Sequence, residues 1–197
     1  MELHQYGVCL RRLQPGPMLE QLRQWRNLPR IQQHMEFRQT ITPEMQASWY
    51  RGLDLAQDFY WFIYPVQHHS PAQDAIGVIH ARGVWAEAPG TPPDTGLFIA
   101  EPSWQGTWVP FAASFAMLNW LFHGVGVQEV TAKVQRGNHR AVRYNQALGF
   151  VYGGSLSSGY DRLRLFAATY RQAELPASLG LARLFPGPLH LLWEPGR

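Results

Sequence analysis

The stretch that decides the fold is TGLFIAEPSWQGTWVPFAASFAMLNWLFHGVGVQEVTAKVQRGNHRAVRYNQALGF, residues 95–150. It predicts a strand, a turn, a long apolar helix, a second strand and a second helix. The first helix carries four large apolar side chains at the spacing of one helical face: Phe111, Phe115, Leu118 and Phe122. The residues between them are mostly small or apolar too, which predicts that this helix is buried.

The turn at 103–107 leads from the first strand into that helix, and such a place can bind anions. Free backbone N–H groups and the positive end of the helix dipole point at one spot there. The sequence has neither the G-x-G-x-x-G nor the G-x-x-x-x-G-K-[ST] pattern of nucleotide-binding loops. An anion site of another kind is therefore expected.

The end of the stretch carries the more specific motif. Asn138 begins an N-x-x-A pattern at the start of the second helix, and that helix closes in Leu148-Gly149-Phe150. With the order of elements along the chain, this pattern resembles the acetyl-CoA-binding core of the GCN5-related N-acetyltransferases, the GNAT superfamily. The resemblance implies an acetyl-CoA-dependent N-acetyltransferase.

The turn fits that family less well. Members usually have the pattern [QR]-x-x-G-x-[GA], which binds the pyrophosphate of the coenzyme. Gln105 and Gly106 are in keeping with it, whereas Trp108 and Pro110 stand where the family usually has small residues. A side chain at position 108 hinders close approach of the backbone to a pyrophosphate, so weaker acetyl-CoA binding is expected.

The fold implied by the resemblance is α/β (α+β), with a mixed, mostly antiparallel central sheet flanked by helices. The sheet is splayed in the middle, between strands 97–100 and 130–134. One such domain accounts for residues 1–197, and residues 175–197 form an apolar, proline-rich C-terminal extension. The extension is too apolar for a free linker, so it is expected to pack on the domain or on a second subunit, which makes a homodimer one expectation.

The N-terminal half follows the same order of elements. Thr42-Pro43 has the form of a helix start, with threonine as N-cap and proline in the first turn. Gly77 lies inside a predicted strand and is a candidate bulge. The predicted elements are a strand at 7–13, helices at 18–25, 30–35 and from Thr42, and strands at 59–66 and 75–84.

Composition limits the other classes. The chain has 197 residues, 46% hydrophobic and 16% charged, which suits one globular domain. Its net charge of +3 comes from dispersed arginines rather than one basic stripe, so no nucleic-acid partner is expected. The N-terminus lacks a signal-peptide pattern and no apolar run could span a bilayer, which predicts a cytoplasmic protein without membrane contact.

Metal and nucleophile chemistries have no recognisable motif. The eight histidines show no paired ligand spacing beyond the adjacent His68-His69, so no metal is expected. The single cysteine, Cys9, excludes an internal disulfide and reads as a buried strand residue. There is no G-x-S-x-G elbow.

The resemblance assigns the coenzyme-binding residues. The end of the first strand would hydrogen-bond the pantetheine arm as an added strand does, and the turn would offer N–H groups to the pyrophosphate. Arg140 and Arg143 would lie near the phosphates, or alternatively form a solvated helix face. The full set is Phe98, Ile99, Ala100, Gln105, Gly106, Thr107, Trp108, Val109, Asn138, Arg140 and Arg143.

Acid and base groups are assigned in the same way. Glu101, at the end of the strand, and His80, on the neighbouring strand, are candidates to accept the amine proton. Many family members have a tyrosine that protonates the leaving thiolate, but this chain has Asn145 there and Tyr144 one position earlier. One residue turns a helical side chain by about 100°, so Tyr144 is not a simple substitute, and Asn145 is a candidate hydrogen-bond donor.

The acceptor site is expected across the sheet from the coenzyme. Trp25-Arg26-Asn27, followed by Met35 and Ile41-Thr42, resembles the branch that acetylates amino sugars on nucleotide carriers, and similar residues occur in the branch that acetylates ribosomal protein N-termini. Tryptophan on an amphipathic helix also serves as core. The predicted pocket comprises Trp25, Arg26, Asn27, Glu36 and His80.

Two functions of different class follow. The first is an N-acetyltransferase that moves an acetyl group from acetyl-CoA to a primary amine of a small molecule, an amino sugar or a protein N-terminus. The second is a weak or inactive module that keeps the fold and binds an acyl-CoA or a protein partner. The first is the main expectation, and the altered turn and the displaced tyrosine suggest the second as the alternative.

Overall fold

The computed structural model describes residues 1–67, 70–71, 74–85, 91–170, 180–181 and 183–185. His68 and His69 lie outside the described residues, as does most of the extension from 171 onward. The helices are α1 (Pro17–Arg26), α2 (Pro29–Gln32), α3 (Pro43–Arg51), α4 (Val109–Asn119) and α5 (His139–Ala147). The strands are β1 (Glu2–Gln5), β2 (Val8–Arg12), β3 (Phe59–Gln67), β4 (Ser70–Pro71), β5 (Gly77–Arg82), β6 (Asp94–Ile99), β7 (Glu129–Gln135), β8 (Val151–Ser155) and β9 (Tyr160–Phe166).

One sheet joins these strands in the order β1-β2-β3-β5-β6-β7-β9-β8, and β4 pairs with β3. All neighbours along this path are antiparallel except β6 and β7, which are parallel. The expected mixed, mostly antiparallel sheet flanked by helices is therefore confirmed.

The sheet opens between β6 and β7. Only Asp94–Thr131 and Thr95–Ala132 are paired, so the strands diverge from Gly96 onward. The predicted splay is confirmed, and it leaves one edge of β6 without a partner strand along most of its length. This opening is called the gap below.

Helices cover both faces of the sheet. The apolar α4 packs with Phe115 and Leu118 in the larger core, together with side chains of α5. The smaller core lies on the other face, where Leu22 and Trp25 of α1 and Ile31 of α2 pack against the sheet. The gap therefore lies between a layer that contains α4 and α5 and a layer that contains α1 and α2.

Several local features differ from the sequence predictions. The edge strand β1 was not predicted, because four residues alternate too briefly to show a period. Gly77 lies in regular register with Ile63 and Ile99, so the bulge is wrong. Glycine is needed there because a Cβ would meet the carbonyl oxygen of Phe98 on β6.

The helix ends follow local chemistry. Thr42 caps α3 as predicted, its hydroxyl accepting from the N–H of Met45 at 3.2 Å. The helix α4 continues into a π-helical segment, Trp120–Val125, which ends at Gly126 with a φ of 86°. No helix in the described part of the chain is long and apolar enough to cross a membrane.

Candidate active site

The open edge of β6 offers backbone groups to the gap. Groups along a strand alternate between its two edges. The Phe98 carbonyl faces β5 at Gly77, so Leu97 and Ile99 face the gap. The Ile99 oxygen accepts from Nε2 of Gln105 at 3.2 Å, and the Ala100 oxygen accepts from Nη2 of Arg30 at 2.6 Å. Side-chain amide and guanidinium groups thus occupy acceptors at the end of this edge.

The turn before α4 has free donors. The backbone N–H groups of Gln105 and Thr107 bond to Pro102 and Trp104, and that of Val109 bonds to the Thr107 hydroxyl. Within the described residues, the N–H groups of Gly106 and Trp108 donate no hydrogen bond. Gly106 has a φ of 80°, a conformation that glycine adopts without strain. Pro110 is in the first turn of α4, where no helical partner is lost.

The indole of Trp108 contacts the C-terminal extension. It packs against Phe185 of the C-terminal extension, with 4.6 Å between ring centroids. Trp108 also lines an apolar cavity of about 320 Å³ with Phe111 and Leu181, and Leu181 is buried. At these positions the extension therefore packs against Trp108, the side chain at which the turn departs from the pattern of the family that it resembles.

The start of α5 reaches the same turn. Nη1 of Arg140 donates to Oε1 of Gln105 at 3.1 Å, and both side chains lie at the surface. Asn138 caps α5, its Oδ1 accepting from the N–H of Ala141 at 3.1 Å. Arg143 is exposed one turn after Arg140. The guanidinium of Arg140 is therefore held beside the turn before α4.

The candidate acid groups are already bonded. The Tyr144 hydroxyl donates to the carbonyl of Pro110 at 2.8 Å and lies 2.7 Å from the hydroxyl of Ser114. Burial raises the pKa of Tyr144 above its ordinary value, the Ser114 hydrogen bond opposing that shift. The Asn145 amide donates to the Ala141 carbonyl of its own helix at 2.8 Å. The tyrosine thus joins α5 to α4.

On the other face, His80 stands at the point where the sheet opens. It is paired with Gly96, the first β6 residue beyond the last β6–β7 pair. A Cβ on Gly96 would overlap the imidazole, so the ring lies on the strand backbone. The ring stacks on Tyr60 with 5.2 Å between centroids. Burial, then the charges of Arg82, Arg26 and Lys133, lowers the pKa of His80 to about 3.

Asp94 lies on the same face, and sequence reasoning missed it. Phe98 and Ala100 pack in the smaller core, so the alternation of β6 puts Asp94 and Gly96 on that side. Its Oδ1 is buried and has no hydrogen-bond partner among the described residues. Burial raises the pKa of Asp94, while Lys133 and Arg82 oppose that shift. The period of two along β6 assigns Asp94 to this face only once the strand is known to begin at Asp94.

Glu101 is placed differently. It is exposed, just beyond β6, and its carbonyl accepts from the N–H of Trp104 at 3.1 Å. Its backbone N–H reaches Ile76 at 3.1 Å. Glu101 is therefore at the protein surface, whereas His80 and Asp94 are half-buried.

The Trp25-Arg26-Asn27 group makes packing and hydrogen-bond contacts within the protein. Trp25 is buried and stacks on Phe62 with 5.1 Å between centroids. The Asn27 amide donates to the Ile41 carbonyl at 2.9 Å and accepts from the Ile41 N–H at 2.8 Å. Arg26 lies over Trp49 at 5.8 Å, and burial lowers its pKa. The joint occurrence of Asn27 and Ile41 has a structural reason, since the two residues hold the loop before α3.

Glu36 connects the segment after α2 with β7. It forms an ion pair with Lys133 of β7 at 3.4 Å. The neighbouring His34 bonds to Gln135 of β7 at 3.0 Å. The segment after α2 therefore lies over the part of β7 that diverges from β6. Of the predicted acceptor residues, Arg26, Glu36 and His80 line this region, whereas Trp25 and Asn27 support it.

The sequence matches a known family over most of its length. The model of the Acetyltransferase (GNAT) domain matches residues 8–151. No match is found among curated proteins.

Solved structures with the same fold include three acetyltransferases. Spermidine N-acetyltransferase from Vibrio cholerae, with CoA and spermine, has a TM-score of 0.71 and 16% identity over 84% of this chain and 98% of its own. The aminoglycoside acetyltransferase AAC(6')-Ib with coenzyme A has a TM-score of 0.68 and 17% identity over 84% and 98%. FdhC, described as a nucleotide-linked sugar GNAT, has a TM-score of 0.71 and 15% identity over 90% and 97%. At these identities the likeness establishes the fold.

Proposed function

This chain belongs to the GNAT family of acetyltransferases and is an acyltransferase, and on that premise we propose that it acetylates a primary amine with acetyl-CoA. The observation that carries the proposal is the gap beyond Thr95 and Ala132, with free turn donors at its rim and His80 at its inner end. Holding two reactants at such a place converts a bimolecular step into an effectively unimolecular one.

The residues around the gap fit the coenzyme. The gap-facing groups of Leu97 and Ile99 can bond an amide-bearing arm as a neighbouring strand would. The free N–H groups of Gly106 and Trp108, at the start of α4, suit a pyrophosphate, with Arg140 and Arg143 beside them. Acetyl-CoA supplies an activated acetyl group as a thioester. Gln105 and Arg30 would have to release the Ile99 and Ala100 carbonyls if the arm extends that far.

The transfer forms an N–C bond and breaks the thioester C–S bond, and the amine loses a proton. His80 stays neutral because of its low pKa, so it can accept a hydrogen bond from the amine but is a weak base. Burial raises the pKa of Asp94, and its buried Oδ1 has no hydrogen-bond partner among the described residues. A general base is more effective when its pKa lies nearer the working pH. We therefore assign proton acceptance to Asp94 and orientation of the amine to His80. The proton finally returns to the departing thiolate.

The charges around the acceptor region indicate the kind of amine. The positive charges of Arg82, Lys133 and Arg162 each favour a lower pKa of Asp94, and the negative charge of Glu36 favours a higher one. The positive charge of Arg26 contributes to the lowered pKa of His80. This excess of positive charge disfavours a polycation such as spermidine. It suits a single amine carried on an anionic molecule, of which an amino sugar on a phosphate-bearing carrier is one class.

Release of coenzyme A thiol tests both levels of the proposal. Purified protein is given acetyl-CoA with a nucleotide-linked amino sugar, an aminoglycoside or spermidine, and free thiol is measured. Cys9 is buried and the only cysteine, so the protein contributes little signal. We expect kcat/KM for the anionic amino sugar to be at least about tenfold above that for spermidine, equivalent to about 1.4 kcal/mol. A preference for spermidine would overturn the acceptor class and leave acetyl transfer standing.

Variants locate the chemistry. Asp94→Asn should lower kcat by roughly 10²-fold or more, the usual contribution of a positioned base. Glu101→Gln is the matched control on the exposed carboxylate and should change kcat little. The opposite result would assign the base to Glu101.

A second function, a module that binds without catalysis, is favoured by the bonded Tyr144 and by Trp108 in the turn. It predicts acetyl-CoA binding in calorimetry with no thiol release for any amine. Absence of both binding and release would overturn the coenzyme assignment itself.

A further inference from the structure

Three side chains that can ligate a metal converge on the N-terminal hairpin. Glu2 and His4 lie on β1, and Cys9 lies on β2 directly opposite His4 in the register. Their ligand atoms all lie within 4.8 Å of one another. They occupy the outer edge of the sheet, on the face of α1, because Cys9 packs in the smaller core.

The distances fit a tetrahedral ion. Nε2 of His4 is 3.0 Å from Oε2 of Glu2 and 3.5 Å from Sγ of Cys9, and Sγ is 3.6 Å from the same Oε2. With ordinary zinc bond lengths and tetrahedral angles, nitrogen and oxygen ligands stand about 3.4 Å apart, and either stands about 3.6 Å from a sulfur ligand. The three separations therefore match one face of a zinc tetrahedron to within a few tenths of an ångström.

The same geometry disfavours a catalytic triad. A nucleophile, base and orienting acid would use the two different ring nitrogens of the histidine. Here both Cys9 and Glu2 approach the same atom, Nε2 of His4. Three donor atoms directed at one another in this way have a common centre, which is the arrangement that an ion requires.

We propose that Glu2, His4 and Cys9 bind a divalent cation of borderline softness, Zn²⁺ being the natural choice for a sulfur, nitrogen and oxygen ligand set. The thiol proton passes to solvent as the metal binds. The side chains of His4 and Glu2 are 31% and 45% exposed, so an ion has an entry path and room for a water as fourth ligand. Arg11 pairs with the other carboxylate oxygen of Glu2 at 3.1 Å and orients it.

The site would fasten β1 to the sheet. The strand has four residues at a sheet edge, and among the described strands it pairs with β2 alone. Histidine spacing alone suggested no metal, because the ligands are divided between two strands and the first of these was not predicted.

The test is a titration of the untagged protein with Co²⁺ under a non-chelating reductant. Because Cys9 is the only cysteine, any thiolate-to-cobalt absorption must come from it. We expect saturable binding of one Co²⁺ per chain with this absorption, displacement by Zn²⁺, and a higher Tm with either metal. Cys9→Ser should abolish the absorption.

Two partly exposed ligands give variants that should keep the fold if Cys9→Ser does not. His4→Gln and Glu2→Gln should each weaken Co²⁺ binding by at least about tenfold. The matched controls are His123→Gln and Glu44→Gln, at exposed positions outside the hairpin, and should bind as the wild type does. No saturable absorption, or unchanged affinity in both His4→Gln and Glu2→Gln, would overturn the proposal.

Discussion

Arg140, near the start of α5, donates a hydrogen bond from Nη1 to the side-chain oxygen of Gln105 at 3.1 Å. Gln105 in turn donates from Nε2 to the Ile99 carbonyl at the end of β6 at 3.2 Å. The two side chains thus connect both sides of the gap at its open end. They also keep a guanidinium within reach of the turn that has free N–H donors.

Replacing Arg140 by alanine should weaken acetyl-CoA binding. A hydrogen bond to a charged group contributes about 1.5–3 kcal/mol, so the Kd should rise roughly 10- to 100-fold. Calorimetry measures the change, and Arg51→Ala, at an exposed arginine in α3, is the control. If Arg140→Ala binds as tightly as Arg51→Ala, Arg140 belongs to a solvated helix face.

Replacing Trp108 by glycine should have two opposite effects. Acetyl-CoA should bind several-fold more tightly, since no side chain hinders the approach of the backbone. The Tm should fall, because the indole loses its contacts with Phe185 and with the apolar cavity. Phe185→Ala removes the contact with the C-terminal extension but leaves Trp108 in the turn. It should therefore lower the Tm without a gain in affinity for acetyl-CoA. Equal gains in the two variants would mean that the extension, rather than the indole, limits binding.

His80 should make the protein less stable in acid. Its pKa falls from 6.5 to about 3 on folding, because burial and nearby cations disfavour the imidazolium. Between these values the unfolded chain holds more protons than the native one, so stability is lost as pH falls below about 6.5. Urea unfolding at about pH 7 and about pH 5 should show a smaller loss for His80→Gln than for the wild type.

The control for this prediction is Gln146→Ala. Gln146 is exposed and carries no titratable group, so its replacement should leave the acid-dependent loss of stability unchanged. Equal pH dependence of His80→Gln and the wild type would show that the imidazole is solvated in the native state.

Replacing Asn27 by alanine should destabilise the fold. The amide of Asn27 accepts from the N–H of Ile41, so its removal leaves that buried N–H unpaired and costs about 1–3 kcal/mol. The Ile41 carbonyl loses the Asn27 donor but still accepts from Nη1 of Arg23 at 2.9 Å. Urea unfolding measures this, with Gln24→Ala on the exposed side of α1 as the control. A variant with native stability and a raised KM for the acceptor would instead make Asn27 a substrate ligand.

The features that the sequence predicted well have local causes. Thr42 caps α3 through its own side chain, as predicted, and such a bond depends on a neighbour three residues away. The splay was inferred from a family resemblance, because nothing in the local pattern of β6 or β7 specifies where two strands diverge.

The features it missed depend on contacts distant in sequence. Asn27 was interpreted as a substrate ligand because its partner lies 14 positions away. Asp94 precedes the predicted strand in a proline-rich segment, so the side of the sheet on which it falls could not be assigned before the strand's true start was known. The facing of His80 required the register of β5 on β6, which a single sequence does not provide.

The pairing of β6 and β7 at only two residue pairs has a mechanical consequence. On either side of them the sheet has two parts, with six strands on one side, counting β4, and three on the other. Within the described residues the two parts share no further strand pairing. A coenzyme lying along the free edge of β6 would contact both parts of the sheet and would stabilise the folded state by mass action. The rate at which a protease cleaves the folded protein would then fall as acetyl-CoA rises, so survival of the chain would report the supply of its own substrate.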